Sequence, residues 1–303
     1  MENIEADVCT DDITGILKNA LTEDLGTAGD ITSMAIFGES DTGAAQIRSK
    51  QAGVLSGATL IKPLFGLVDS LLSMQSQAGL IPAAGIEVCS RDGDRMEPGT
   101  VICKIKGPVR SILSGERTIL NLLQRLSGIA TTSSRMIEIL KGTNTRLLDT
   151  RKTTPGLRAL EKAAVRHGGG DNHRFGLYDM ILIKDTHIKR AGGVEEALKK
   201  ALAWRDGRNG DKPMIEVEVQ SVKEFMKALP LGPDRIMLDN MGQNEIEACV
   251  KERNASGKNI LLEASGGISL DTLSAIAATG VDFISSGALT HSARALDIHL
   301  VMV

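Results

Sequence analysis

The sequence predicts an α/β protein in which a small N-terminal α+β layer precedes a parallel α/β barrel. Three observations predict it. From Thr145 onward, apolar runs of strand length alternate with helical segments about six times, the pattern of a parallel sheet with helical crossovers. Residues 40–110 instead show broken strand patterns punctuated by Asp92-Gly93, Pro98-Gly99 and Gly107-Pro108, the turn signals of antiparallel hairpins. Chemically useful residues also stand at the C-terminal end of nearly every later strand: Asp149 and Arg151, Lys184, Glu218, Asp239, Ser265 and Gly287. A barrel gathers such ends around one mouth, whereas an open sheet spreads them along an edge.

The elements follow in order. Helical spacing of apolar residues predicts helices over Ile13 to Leu25 and Ile61 to Leu72. A third helix is expected from Ser114, because Ile119, Leu120, Leu122, Leu123, Leu126 and Ile129 repeat at helical intervals; Ser114 would be its N-cap. That start puts Arg117 in the first turn, where a cation opposes the helix dipole, so Arg117 either faces solvent or serves a ligand. The later strands are expected at Arg146 to Asp149, Met180 to Lys184, Met214 to Val219, Arg235 to Asp239, Ile260 to Glu263 and Phe283 to Ser285. Between them, Glu195 to Trp204, Val222 to Leu229, Glu245 to Arg253 and Leu270 to Ala278 read as helices. The division falls near residue 127: an N-terminal domain over 1–127, to which 290–303 returns, and a barrel over 128–289.

Composition narrows the function classes. The 303 residues carry a formal charge of −3, a pI near 6.0 and only 2% aromatic side chains, which argues against a nucleic-acid surface. The polar, acidic start MENIEADVCTDD resembles no signal or transit peptide, and no apolar run reaches spanning length, so a soluble cytoplasmic protein is expected. Cys9, Cys89, Cys103 and Cys249 are isolated and read as plain thiols, with neither a disulfide framework nor a zinc site.

Against that acidic background, Arg151 to Arg190 holds nine Lys or Arg against four Asp or Glu, and three of the five histidines. Cations converging on short loops suit a small polyanion. Lys184 ends an apolar strand, where burial without an anion would be costly. The run Met214 to Val219 puts Glu216 and Glu218 on one face, and Asp239 closes the next strand; these carboxylates need either a divalent metal such as Mg²⁺ or buried basic partners. Glu263 to Ser269 and Phe283 to Leu289 both run from a strand into glycines and then a helix, the design of a phosphate cup, although a single such loop is also an ordinary turn.

The blocks DTRKTTPGLR (149–158), GGGDNHRFGLYDMILIKD (168–185), IEVEV (215–219), LDNM (238–241), EASGGI (263–268) and GALTHS (287–292) closely resemble the quinolinate phosphoribosyltransferase family. GDIT (29–32) and GERTILNLLQRLSGIAT (115–131) extend the resemblance over nearly the whole chain. It implies an α/β fold in which an N-terminal α+β sandwich domain packs on an incomplete, seven-stranded α/β barrel. It implies a homodimer whose active sites lie at the subunit interface, with dimer against hexamer left open by the sequence. The implied reaction joins quinolinate to phosphoribosyl pyrophosphate, giving nicotinate mononucleotide, pyrophosphate and CO₂ in NAD biosynthesis.

By the same resemblance, Arg117 (from the neighbouring subunit), Arg151, His173, Arg174 and Lys184 grip quinolinate. Lys152, Glu218, Asp239, Ser265, Gly266, Gly267, Gly287 and His291 serve the phosphoribosyl pyrophosphate side. Lys152, Lys184, Glu218 and Asp239 are the implied catalytic set, and Glu218 and Asp239 the Mg²⁺ side. Thr186 departs from an expected Asn, while Asp171 and His167 occupy variable positions. Two alternatives stand beside this reading: a transferase of the same fold acting on another pyridine such as nicotinate, and a non-catalytic protein that binds a phosphorylated metabolite.

Overall fold

The computed structural model describes residues 10–76 and 82–303 and contains two compact units. One comprises the chain up to Thr132 together with Thr154–Gly169 and Ala293–Val303; the other comprises Ser133–Thr153 and Gly170–Ser292. Cys9 and most of the acidic N-terminal segment lie outside the described residues.

The first unit is built in the order α1 (Thr10–Leu25), α2 (Ile31–Ile36), β1 (Thr42–Ser49), β2 (Gly53–Val54), α3 (Ile61–Gln75), β3 (Gly85–Val88), β4 (Arg95–Met96) and β5 (Val101–Pro108). Asp30 of the GDIT motif starts α2 by accepting the Ser33 amide at 3.0 Å. An antiparallel sheet forms in the order β12-β1-β5-β3, where β12 is the C-terminal strand Ile298–Met302. Ala45 and Ile47 alternate into the core from β1, and α3 buries Ile61, Leu64, Phe65, Val68 and Leu72 on one helical face. Gly115 lets the next helix close on Phe65, since a Cβ there would stand 2.7 Å from the ring.

That helix, α4 (Val109–Leu140), corrects the sequence reading. It begins at Val109, directly after β5, because nothing between Pro108 and Ser114 interrupts helical geometry. Ser114 is therefore a buried mid-helix residue and not a cap, and Arg117 is exposed two turns in, so no dipole argument applies to it. Helix α5 (Arg158–His167) was not anticipated and belongs to this unit. Its fully buried Glu161 accepts from Arg125 Nη2 at 2.9 Å and from Thr154 Oγ1 at 2.7 Å, which ties α5 to α4 rather than to the barrel, where the division at residue 127 would put it.

The second unit holds β6 (Arg146–Leu148), β7 (Ile181–Ile183), α6 (Asp185–Ala191), α7 (Val194–Asp206), β8 (Ile215–Val219), α8 (Val222–Ala228), β9 (Arg235–Asp239), α9 (Gln243–Ser256), β10 (Leu261–Ser265), α10 (Leu270–Ala278), β11 (Phe283–Ser285) and α11 (Ala288–His291). Its parallel sheet runs β6-β11-β10-β9-β8-β7. From β7 to β11 successive strands are neighbours, and β11 pairs with β6, as Phe283↔Arg146 through Ser285↔Leu148, so the sheet is wound as a barrel and not doubly wound. On the far side of β6 a single bridge, Leu148↔Asp171, takes the place of a seventh strand. The ladder stops there because the Asp149 side chain captures the next donors, His173 N at 2.8 Å and Asn172 Nδ2. Among the described residues, no helix is long and apolar enough to cross a membrane.

Candidate active site

The strand ends of the second unit carry two different polar assemblies. At the mouth, Glu218 ends the inward face of β8 and Asp239 ends β9. Burial raises the Glu218 carboxyl above the ordinary range, and the neighbouring Asp239 raises it further, while Lys184 opposes the shift. Asp239 accepts from Asn240 Nδ2 at 2.9 Å and from Gln220 Nε2 at 3.4 Å. Both acids keep an open side, since neither is fully buried. Two adjacent oxygen donors that are expensive to ionise together suit a hard divalent cation.

The two glycine loops are shaped by close approach. Asn240 adopts φ 54° and lies so near Gly266 (φ 91°) that a Cβ there would stand 2.2 Å from Asn240 Oδ1. Gly287 has ordinary dihedrals but no room: an added Cβ would stand 2.7 Å from Lys152 Cδ and 3.1 Å from His291 Nε2. Thr290 Oγ1 holds the Lys152 carbonyl at 2.8 Å, so the loop after β6 and the turn before α11 form one cationic cradle of Lys152, Gly287 and His291. Ser265 and Gly267 lie in the neighbouring loop, where Gly267 also takes a positive φ of 63°.

On the other side stand the guanidiniums. Burial and the nearby Arg151 lower the proton affinity of Arg174, whose Nη1 donates to the Met180 carbonyl at 3.0 Å. Arg151 Nε and Arg174 Nε are both buried without an acceptor among the described residues. Lys184 is exposed at the start of α6, so the expected cost of burying it does not arise. Thr186 is exposed on the first turn of α6, and Asp171 is held by Arg146 in a two-point pair of 2.7 and 2.9 Å, which removes the difficulty of an acid beside an anion site. His167 belongs to the first unit, where its Nδ1 lies 2.8 Å from Ser56 Oγ and burial lowers its pKa.

His173 differs from its sequence assignment. It is buried, and its Nδ1 accepts the Arg174 amide at 2.8 Å, which puts the ring proton on Nε2. Nε2 stands 3.0 Å from Glu216 Oε2 and 3.5 Å from Glu263 Oε2. Both ring nitrogens thus lie against protein groups, Nδ1 against the Arg174 amide and Nε2 against the two buried carboxyls. Glu263 also accepts from Arg235 Nη1 at 2.8 Å, and Arg235 lies 3.9 Å from Glu216 and over the Phe283 ring at 4.4 Å. Burial pushes the carboxyls of Glu216 and Glu263 up to about 7. The three ligating groups of His173, Glu216 and Glu263 come close enough for a metal, but the Arg235 guanidinium already occupies the cation position.

Sequence reasoning did not single out Glu263 or Arg235. The available signal was a charged residue in the middle of an apolar strand, which a buried strand tolerates only with a partner. Of the cysteines, Cys103 and Cys249 are buried with thiols pushed up to about 12, consistent with plain packing.

The sequence patterns described as "Quinolinate phosphoribosyl transferase, N-terminal domain" and "C-terminal domain" match residues 30–127 and 129–301. The chain belongs to the quinolinate phosphoribosyltransferase family. It is 45% identical over 285 residues to a probable nicotinate-nucleotide pyrophosphorylase [carboxylating] of Bacillus subtilis, covering 94% of this chain and 91% of that protein. It is 39% identical over 303 residues to quinolinate phosphoribosyltransferase [decarboxylating] 1b of Nicotiana tabacum, covering 96% and 82%. Among solved structures, the nicotinate-nucleotide pyrophosphorylase from Francisella tularensis superposes with a TM-score of 0.85 at 37% identity, with all of both chains covered. NadC from Streptococcus pyogenes gives 0.86 at 38%, covering 99% of this chain and all of that one. Members of the quinolinate phosphoribosyltransferase family are pentosyltransferases, and this chain is an enzyme of that type.

Proposed function

We propose that this enzyme transfers the phosphoribosyl group of phosphoribosyl pyrophosphate to quinolinate, releasing pyrophosphate and CO₂ and yielding nicotinate mononucleotide for NAD biosynthesis. The observation that carries the reading is the pair Arg151 and Arg174, two guanidiniums with buried Nε groups that meet no acceptor among the described residues. A planar dicarboxylate supplies acceptors for both, with Lys184 nearby. The cradle of Lys152, Gly287 and His291, with Ser265 to Gly267, suits the phosphates on the other side.

No side chain needs to act as a nucleophile. The pyridine nitrogen attacks the anomeric carbon as the C–O bond to pyrophosphate breaks. Glu218 and Asp239 sit where they stabilise positive charge developing on the ribose. The C–C bond to the adjacent carboxylate then breaks as CO₂ leaves; its electron pair stays on the ring carbon, stabilised by the neighbouring cationic nitrogen, and a proton then bonds to that carbon. Orientation by the arginines and the cradle supplies most of the rate. Glu218 and Asp239 would also hold Mg²⁺, which when bound neutralises pyrophosphate charge. We place the enzyme in the cytoplasm as a homodimer in which Arg117 completes the partner's site.

The test is release of labelled CO₂ from quinolinate with and without phosphoribosyl pyrophosphate and Mg²⁺. Release that needs all three supports the reading; equal turnover of nicotinate, or full activity after exhaustive chelation, overturns the substrate or the metal assignment. For Arg117, inactive Arg117→Ala and Lys184→Ala homodimers are dissociated, mixed and reassembled. A mixed dimer has one intact site, so activity up to about half of wild type should return. Confirmed mixing without recovery shows that Arg117 works within its own subunit.

A further inference from the structure

The interior of a parallel barrel is ordinarily filled with branched apolar side chains. Here β8, β9 and β10 place Glu216, Arg235 and Glu263 inside it, all at least nine-tenths buried, with His173 packed on them. A well-packed apolar set would cost less, because two carboxylates and a guanidinium must be stripped of water. Something other than stability therefore has to account for their arrangement, and their contacts with His173 lead toward one peptide.

Arg235, laid on the Phe283 ring, holds Glu263 at 2.8 Å. Glu263 and Glu216 flank His173 Nε2 at 3.5 and 3.0 Å. His173 Nδ1 takes the Arg174 amide at 2.8 Å, and the amide of His173 is taken by the fully buried Asp149 at 2.8 Å. Residues 172–174 belong to no strand or helix. Their backbone follows a single bridge at Asp171, so these side-chain anchors do what a ladder does elsewhere in the sheet.

We propose that Glu216 and Glu263 are positioning residues for recognition of the pyridine dicarboxylate, acting through His173 to fix the peptide that presents Arg174; the role rests on quinolinate being the substrate. It follows that loosening the cluster should move Arg174 and leave the phosphate cradle in place. Lys152, Gly287 and His291 are fixed by a different contact, Thr290 to the Lys152 carbonyl. The cluster should therefore govern the KM for quinolinate and not that for phosphoribosyl pyrophosphate.

Steady-state kinetics of the full-length enzyme carrying Glu263→Leu, Glu216→Leu or Glu216→Gln, alongside thermal melting, tests this. Either leucine variant should raise the KM for quinolinate roughly 10- to 100-fold, as a displacement near 1 Å does, with the KM for phosphoribosyl pyrophosphate within about twofold of wild type. Glu216→Gln keeps a polar oxygen within reach of His173 Nε2 and should recover to within about fivefold of wild type, a rescue that mere filling of the barrel would not give. If both KM values rise together, or neither moves in a folded variant, the positioning role is wrong. Should a leucine variant fail to fold, Glu263→Met and Glu216→Met, which remove the carboxylate but keep an unbranched side chain of similar size, decide the matter through the ratio of the two KM values, since no change in that ratio overturns the role. Wild-type enzyme that releases no CO₂ from quinolinate and shows no calorimetric binding of it defeats the substrate assignment instead; active wild type with no KM split defeats only the positioning.

Discussion

Glu216 and Glu218 lie two residues apart on one face of β8, yet they live in different chemistry. Glu216 is sealed below the mouth against His173, Glu263 and Arg235, while Glu218 opens onto Asp239 and Lys184. Both carboxyls are raised by burial, but only the deeper one has a guanidinium as its built-in counter-ion. One strand thus supplies a carboxyl that belongs to the framework and, one turn of the pleat later, a carboxyl left open toward the mouth. A raised carboxylate pKa therefore does not by itself mark a catalytic group; what distinguishes the two is whether the compensating cation belongs to the protein.

The sharpest way to break the comparison is to remove that cation. Arg235→Leu leaves two buried carboxylates with His173 alone and should cost about 3–5 kcal/mol of stability, read as a fall in Tm or in the denaturation midpoint. A loss below about 1 kcal/mol would mean that the interior cluster is not held by its ion pair. The opposite signature is expected at the mouth. Glu218→Gln should lower kcat by about 10²–10³ while Tm stays within a degree or two of wild type, because the open carboxylate serves charge in the transition state and not the fold.

The interior pair Glu216 and Glu263 should also show in the dependence of stability on pH. The folded pKa of Glu263 and of Glu216 is about 7 against an ordinary carboxylate value of 4.5, so between these limits the native state holds protons that the unfolded chain has released. Their contribution to stability is fully present below the unfolded value and is lost as pH rises through about 7. Glu263→Gln should flatten this decline by up to about 3 kcal/mol, measured as unfolding free energy across pH 4.5–7.5. The lowered carboxyls of Glu87 and Asp185 change charge below that window and do not mask it. An unchanged slope in the variant would show that this carboxyl is already ionised when folded.

The smallest effect is expected at Gly287. Gly287→Ala meets the flexible end of Lys152 and not backbone, so the chain should fold normally while Lys152 is pushed aside. The KM for phosphoribosyl pyrophosphate should then rise about tenfold with the KM for quinolinate little changed, the reverse of the split expected from the interior. Equal effects on both substrates would join the two halves of the site that the structure keeps on separate supports.

By itself, the sequence determined the alternation of strands and helices after Thr145, most element limits to within two residues, and the residues at the strand ends. These are local matters of apolar period and turn chemistry, and the motif blocks around Asp149, Lys184, Glu218 and Asp239 carry the family with them. Helix α5 escaped because only its buried, paired Glu161 and Lys162 make sense of so polar a segment. The start of α4 escaped because a helix can continue straight out of a strand without a cap.

Tertiary structure alone decided which carboxylate is sealed and which is open. The pleat gives Glu216 and Glu218 the same face, and no periodicity tells depth along a barrel axis. Likewise His173 reads as one more cation beside Arg174 until its two nitrogens are seen to be taken, one by the next amide and one by buried acids. Partners distant in the chain set the charge each group carries, and those partners are chosen by how the strands close.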